Sequence, residues 1–426
     1  MLGVLACLGI SCVVFYLVVR TKQPRRFLLA DSFYLGLVIF FTGSVIAAIQ
    51  MPLDGTGLRV VKIALVALAS ASLSGALLRP YYRRLDRPQW QAPPLHSEYV
   101  LITTVFLVVT NLAFSYLVFR NLLGGSLGGL DSDGGLLDVR KMIASGERGY
   151  FYPGLVKQVR DVFAPAFVFY LLAFSAPGKN RFSLLAILLT TLIAMFFGGQ
   201  RSPLLVLAFA AFMGKLERTR RYGGRAKIRR HPVRLMVYGI ICVAAMGMVN
   251  QMLGRANADI SIIGMMWDSA YGIFERIVVV VPISNIEAFD FVSSHDYGLG
   301  ALWLDALSGL MPGTQTGLAN EMHQYLGGSF EGNAVLGFPI STYINFGYIG
   351  VLLVPLLAMA LLVYFDRNCS RLNSPLLASA RTVMLVYLPI AYDPAVFLLG
   401  GGLVFLAVFG WVYLFTGNRQ VGEGTA

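Results

Sequence analysis

Two arginines, Arg255 and Arg276, stand among nine acids in the segment from Gly254 to Val335: Asp259, Asp268, Glu275, Glu287, Asp290, Asp296, Asp305, Glu321 and Glu331. Arg201 lies between Gly198-Gly199-Gln200 and Ser202-Pro203, at a break between two apolar runs. Such breaks occur where backbone lines a polar cavity. Lys157 and Arg160 are three residues apart, which puts both on one face of an α-helix. A guanidinium fork holds multi-oxygen anions through parallel hydrogen bonds, so this set suits a phosphate or diphosphate at headgroup level. The plainer reading of each cation is that it snorkels from a helix end to the lipid interface. His323, in Asn320-Glu321-Met322-His323-Gln324-Tyr325, titrates near neutrality and could accept a hydroxyl proton, with Glu321 and Glu331 as competitors for that role.

Other chemistry is poorly supported. Asp131-Ser132-Asp133 has the DxD form of metal-using glycosyltransferases, but it sits in a glycine-rich stretch and reads as a turn. The chain has no P-loop, no HExxH, no dinucleotide-binding glycine pattern and no CxxC. Its four cysteines, Cys7, Cys12, Cys242 and Cys369, have neither metal-site nor disulfide-framework spacing and read as small buried hydrophobes.

The elements that must carry these residues are membrane helices. Of the 426 residues 57% are hydrophobic and 13% charged. Soluble domains average roughly 45–50% and 25%, and a chain this short of polar side chains cannot cover a water-facing surface. With about 20 apolar residues per crossing as the ruler, candidate spans fall at 2–19, 33–50, 60–78, 99–119, 154–176, 183–198, 202–214, 235–253, 343–365, 374–392 and 395–416. The expected class is therefore all-α, a single polytopic membrane domain over residues 1–426 with about eleven transmembrane helices.

The net charge of +12 is distributed by side. If the spans alternate, the basic groups after spans one, three and nine, the residues before span six, and the run from Lys215 to Arg234 share one face. With Arg381 and Arg419 that face holds 23 of the 34 cations. By the positive-inside rule it is cytoplasmic, so the N-terminus lies outside and the C-terminus inside. These clusters account for the basic balance without nucleic acid as a partner. The first run lacks a leading basic region and a small-residue cleavage site, and it reads as a retained helix. Residues 120–153 and 254–342 form the two long outer loops, expected as short helices lying on or capping the membrane domain above the site.

Two short motifs now carry a resemblance. Phe197-Gly-Gly-Gln-Arg-Ser-Pro-Leu204 at the outer end of a helix pair, and Gly337-Phe-Pro-Ile-Ser-Thr-Tyr-Ile-Asn-Phe-Gly-Tyr-Ile-Gly350 leading into a helix, resemble the O-antigen polymerase (Wzy-type) family of oligosaccharide repeat-unit polymerases, relatives of the O-antigen ligases. About a dozen helices and one dominant outer loop in the second half are similar as well. The resemblance implies a GT-C-like fold in the bacterial inner membrane. It also implies transfer of a growing glycan from undecaprenyl diphosphate to the terminal sugar of a lipid-linked repeat unit, without metal or other cofactor. The implied partners are the lipid-linked donor and acceptor, membrane lipid and a chain-length regulator protein. Arg201 takes the place of the family's helix-end arginine, and His323 falls in a loop region comparable with that of the ligases' histidine. The Arg-then-Gly pairing of some members is absent, since the residues eleven positions after Arg255 and Arg276 are Met266 and Glu287. Two alternatives stay open: an O-antigen ligase, and a polysaccharide or lipid transporter, which would place charges nearer the bilayer midplane.

Overall fold

The computed structural model describes residues 1–21, 28–50, 55–82, 97–124, 158–175, 179–197, 202–222, 262–275, 281–293, 324–325, 336–372, 374–389, 402 and 404–412. Among these residues the regular structure is helical throughout, with no strand. The named helices are α1 (Leu2–Thr21), α2 (Leu29–Gln50), α3 (Thr56–Leu77), α4 (Ser97–Gly124), α5 (Ala164–Phe174), α6 (Arg181–Phe197), α7 (Ser202–Tyr222), α8 (Ile262–Glu275), α9 (Val281–Ser293), α10 (Phe338–Leu372) and α11 (Pro375–Tyr387). A π-helical turn, Gln158–Phe163, leads directly into α5.

Five of these helices are long and apolar enough to cross a bilayer, over Leu2–Val19, Leu29–Gln50, Thr56–Leu77, Ser97–Phe119 and Phe338–Ser370. The chain is an α-helical, membrane-embedded protein. Helices also occupy the segments expected as spans five, six, seven and ten, and residues 404–412 within the eleventh are helical. The eighth segment, 235–253, lies outside the described residues. Several boundaries differ from the hydropathy reading, those of spans five, seven and nine among them. Span five is a π turn followed by an α-helix that ends at Phe174, because Pro165 interrupts the α-helical hydrogen-bond ladder. Helix α7 runs on past its apolar part through Lys215 and Arg218 to Tyr222, since Lys, Leu, Glu and Arg are good helix formers. Helix α10 begins five residues before the expected start, on the Gly337-Phe338-Pro339 segment.

The helices form two packed groups. Helices α1, α2, α3, α9 and α10 share one core, and α4, α5, α6 and α7 share another. Small side chains let the first group close: Gly75 of α3 lies against the Tyr16 ring of α1, and the hydroxyls of Ser70 and Ser74 donate to the Leu352 and Leu356 carbonyls of α10. In lipid, where apolar side chains gain nothing by leaving water, such close approach and cross-helix hydrogen bonding are what hold helices together. Helix α11 is buried on nearly every side and wedges between the groups. Leu377 and Met384 pack into the first core, while Ala378 packs into the second.

Helix α10 is broken at Gly347, whose φ of 62° and ψ of −160° are not helical. The bend is large. The Phe338 ring meets the Phe33 ring at 5.0 Å, and Asp366 accepts the Leu29 N–H at 2.6 Å. Phe33 and Leu29 are four residues apart on α2, about 6 Å along the axis, whereas 28 residues of straight helix would separate Phe338 from Asp366 by about 42 Å. The first half, 338–346, therefore folds back along the bundle instead of continuing the axis of 348–372. Its start is seated closely: a Cβ on Gly337 would overlap the Phe40 ring, and the Gly337 N–H donates to the Asn285 side chain of α9.

Helix α9 is more than a surface cap. Ile286, Ala288 and Phe289 are buried in the first core, and Asp290 accepts the Thr56 hydroxyl at the start of α3 at 2.9 Å.

Candidate functional site

Of the residues expected to bind diphosphate or to act as base, Arg160 lies within the described residues. Lys157, Arg201, Arg255, Arg276, Glu321, His323 and Glu331 lie outside them, as does Asp131-Ser132-Asp133. The helices that bracket Arg201 are both described: α6 ends at Phe197 and α7 starts at Ser202, so the Gly-Gly-Gln-Arg motif falls at a junction between two helices. Two residues after His323, the Tyr325 ring packs on Phe291 of α9 at 4.7 Å, where the long loop returns to the bundle.

Arg160 is held otherwise than a lipid-facing cation. Its Nε and Nη2 donate to the two carboxylate oxygens of Asp161 at 2.5 and 3.0 Å. The guanidinium lies 4.9 Å from the centroid of the Phe114 ring on α4. Arg160 is 3% exposed and Asp161 1%. In a helix bundle, desolvating either charge alone would be costly, and the pair cancels. The fork already spans a carboxylate, so Arg160 is arranged to fix the junction of the π turn with α4 rather than to present an open anion site.

Pro165 explains a second feature of this junction. In an α-helix the Asp161 carbonyl would accept the N–H of residue 165, and proline has none. The Tyr387 hydroxyl of α11 donates to that carbonyl at 3.1 Å. Gln158, at the start of the turn, is 5% exposed, and among the described residues neither end of its amide has a hydrogen-bond partner. On the facing helices, Asn111 of α4 donates to Thr191 of α6 at 2.9 Å, while its amide oxygen has no partner among the described residues.

The other polar centre involves residues that sequence reasoning did not select. Asp366 of α10 pairs with Arg381 of α11 at 2.5 Å and accepts the Leu29 N–H. Asp31 accepts the Leu28 N–H at 2.8 Å and the Tyr16 hydroxyl of α1 at 2.7 Å. The start of α2 has N–H groups without intrahelical partners, and it gathers negative charge through its dipole. Two carboxylates satisfy it, one of them from a helix far along the chain. Arg381, counted by the sequence reading among cytoplasmic cations that set orientation, is buried in this ion pair. The signal that would have found both centres is a charge inside or at the edge of an apolar run, since such charges are paired.

Among the described residues, no group of three or more His, Cys, Asp and Glu is placed to hold a metal ion. Cys7 is exposed, Cys12 half-buried and Cys369 buried, and none of the three is in a disulfide. No family model matches the chain, and no curated protein or solved structure matches it either.

Proposed function

We propose that this membrane-embedded chain is a glycan polymerase. It would transfer a growing undecaprenyl-diphosphate-linked polysaccharide to the terminal sugar of a lipid-linked repeat unit at the outer face of the bacterial inner membrane. The observation that carries the reading is the position of the Gly-Gly-Gln-Arg201-Ser-Pro motif, bracketed by the end of α6 at Phe197 and the start of α7 at Ser202. A fork-bearing side chain at a helix junction is suited to a diphosphate in the headgroup layer.

In this reading the fold is GT-C-like, with about eleven spans, the N-terminus outside and the C-terminus in the cytoplasm. The acceptor hydroxyl gives its proton to a base, chosen from His323, Glu321 and Glu331, and its oxygen bonds to the anomeric carbon of the donor. The bond from that carbon to the diphosphate oxygen breaks, and the electron pair leaves with the diphosphate. Arg201, Arg255 and Arg276, with Lys157, stabilise the charge that develops there. No metal is required for the step. Arg160, committed to Asp161, serves as a positioning residue.

Purified protein incubated with a defined undecaprenyl diphosphate oligosaccharide, with and without chelator, tests the reading. A ladder of products in both supports it. Cells lacking the protein should accumulate single lipid-linked repeats; accumulation of long lipid-linked polymer instead points to a ligase.

The broken helix α10 favours a second reading. Discontinuous helices and buried ion pairs recur where transporters bind substrate, and α10 carries both Gly347 and Asp366. Movement of intact lipid-linked glycan across proteoliposomes, with no ladder, would select it.

A further inference from the structure

The Gln158 side chain points into the bundle, yet neither its amide nitrogen nor its amide oxygen has a hydrogen-bond partner among the described residues. Burying an unpartnered amide works against folding, so its presence calls for a reason.

Packing against α7 fixes the level at which this amide lies. Helix α7 packs against both the π turn and α5. A Cβ on Gly214 would lie 2.8 Å from Leu172 Cβ and 3.0 Å from the Phe169 carbonyl oxygen. Nearer the start of both helices, Val206 shares a buried cluster with Val162 and Ala166. The two helices therefore run parallel and in register. Twelve residues back from Gly214, about 18 Å along an α-helix, is Ser202, the first residue of α7. The same number of residues back from Phe169 and Leu172 reaches 157 and 160, which bracket Gln158. The unpartnered amide thus stands level with the start of α7.

Two kinds of group meet there. The first turn of α7 has N–H groups without partners inside the helix and the positive end of its dipole, which suits an anion. Gln158 adds an amide that both donates and accepts. A diphosphate offers acceptors alone and would leave the Gln158 oxygen unsatisfied. A sugar joined to that diphosphate supplies the missing donor through a hydroxyl. The sequence neighbours of Gln158 and Ser202 are the cations Lys157 and Arg201.

We infer that Gln158 is a sugar-binding residue of the site at the start of α7. Its amide oxygen accepts from a hydroxyl of the first sugar of the lipid-linked donor, its NH2 group donates to another oxygen of that sugar, and the diphosphate lies toward the α7 terminus. The inference rests on the glycan-transfer reading above and assigns the part of the donor that the cations do not hold.

Gln158→Leu removes the amide and keeps most of the volume. Purified wild type and variant are titrated with lipid-linked oligosaccharide from the host membrane and with undecaprenyl diphosphate, which has no sugar. Affinity for the sugar-bearing lipid should fall about tenfold, the worth of one net hydrogen bond, while affinity for undecaprenyl diphosphate changes less than about threefold. The melting temperature of the ligand-free variant should stay level or rise, because an unpartnered buried amide has been removed. A lower melting temperature or failure to fold, as expected for an amide held by a structural water or another protein group, overturns the inference. So does an equal loss for both lipids, no loss for either, or a wild type that binds the sugar-bearing lipid no better than undecaprenyl diphosphate. Ladder formation by wild type is read in parallel. A ladder with unchanged affinities in the variant overturns this inference and leaves the transfer reading standing. A sugar-dependent loss of affinity without a wild-type ladder overturns the transfer reading and leaves the sugar-binding role of Gln158 standing.

Discussion

Arg381 Nε lies 2.5 Å from Asp366 Oδ1, and the other oxygen of the same carboxylate accepts the Leu29 N–H at 2.6 Å. One side chain that is fully buried thereby ties α2, α10 and α11 together at the start of α2. The pair lies within the bundle, where its worth depends on both partners being present.

Removing one partner should therefore cost far more than removing both. Arg381→Met leaves a buried carboxylate with the Leu29 N–H as its one partner among the described residues, and a loss of about 3–5 kcal/mol is expected. The double variant Arg381→Met, Asp366→Leu should recover a large part of that loss. Reversible denaturation in mixed micelles measures it, and additive effects of the two substitutions would show that the pair is not coupled.

The Pro165 and Tyr387 arrangement makes a second expectation. Tyr387→Phe removes the donor to the Asp161 carbonyl and should cost about 0.5–1.5 kcal/mol. Pro165→Ala supplies a backbone N–H that can take over. In that background Tyr387→Phe should cost distinctly less. An equal cost in both backgrounds would mean that the hydroxyl does not substitute for the missing N–H.

Gly347 and Gly337 should fail differently. A Cβ at Gly347 meets nothing within 4 Å, so Gly347→Ala is penalised by its backbone alone, at φ 62° and ψ −160°, by about 1–3 kcal/mol. Gly337→Ala meets the Phe40 ring, and a second change, Phe40→Leu, should relieve it. Thermal stability of the four variants separates the two mechanisms. Relief of Gly347→Ala by Phe40→Leu would contradict this account.

The proposed reaction predicts that Arg201→Ala reduces ladder formation by about 10²–10³-fold, the range seen when a donor to developing charge is removed. Arg201→Lys keeps the charge but loses the fork and should fall between. Yield of folded protein should stay unchanged in both. Full activity in Arg201→Ala would exclude the arginine from the chemistry, and loss of activity with chelator, restored by magnesium, would exclude a metal-independent step.

Sequence made the apolar helices legible, because a run of about 20 apolar residues has few alternatives. It also separated α6 from α7, since basic groups at both ends of the pair, Lys179 and Arg181 before it and the run from Lys215 to Arg234 after it, require two crossings between them. It did not reveal the fold-back at Gly347, because Tyr343-Ile344-Asn345-Phe346-Gly347-Tyr348 opens the apolar run read as one span and a single glycine does not announce its φ. Nor did it pair Arg381 with Asp366 or Asp366 with Leu29, contacts made by residues 15 and 337 positions apart. Arg160 was misleading for the opposite reason: its partner is its immediate neighbour Asp161, and adjacent residues on an α-helix do not face each other. Of the expected site, the helix junction at Arg201 was legible, and the second polar centre was hidden in charges that looked like topology signals.

The cap on α2 also sets a clock. Leu29 and Asp366 are 337 positions apart, and at about 5–20 residues per second that is a delay of roughly 20–70 s between their syntheses. Until Asp366 arrives, the first helices sit in the membrane with one end unfinished. The N-terminal third of the protein must therefore wait, inserted but incomplete, for the last third to close it.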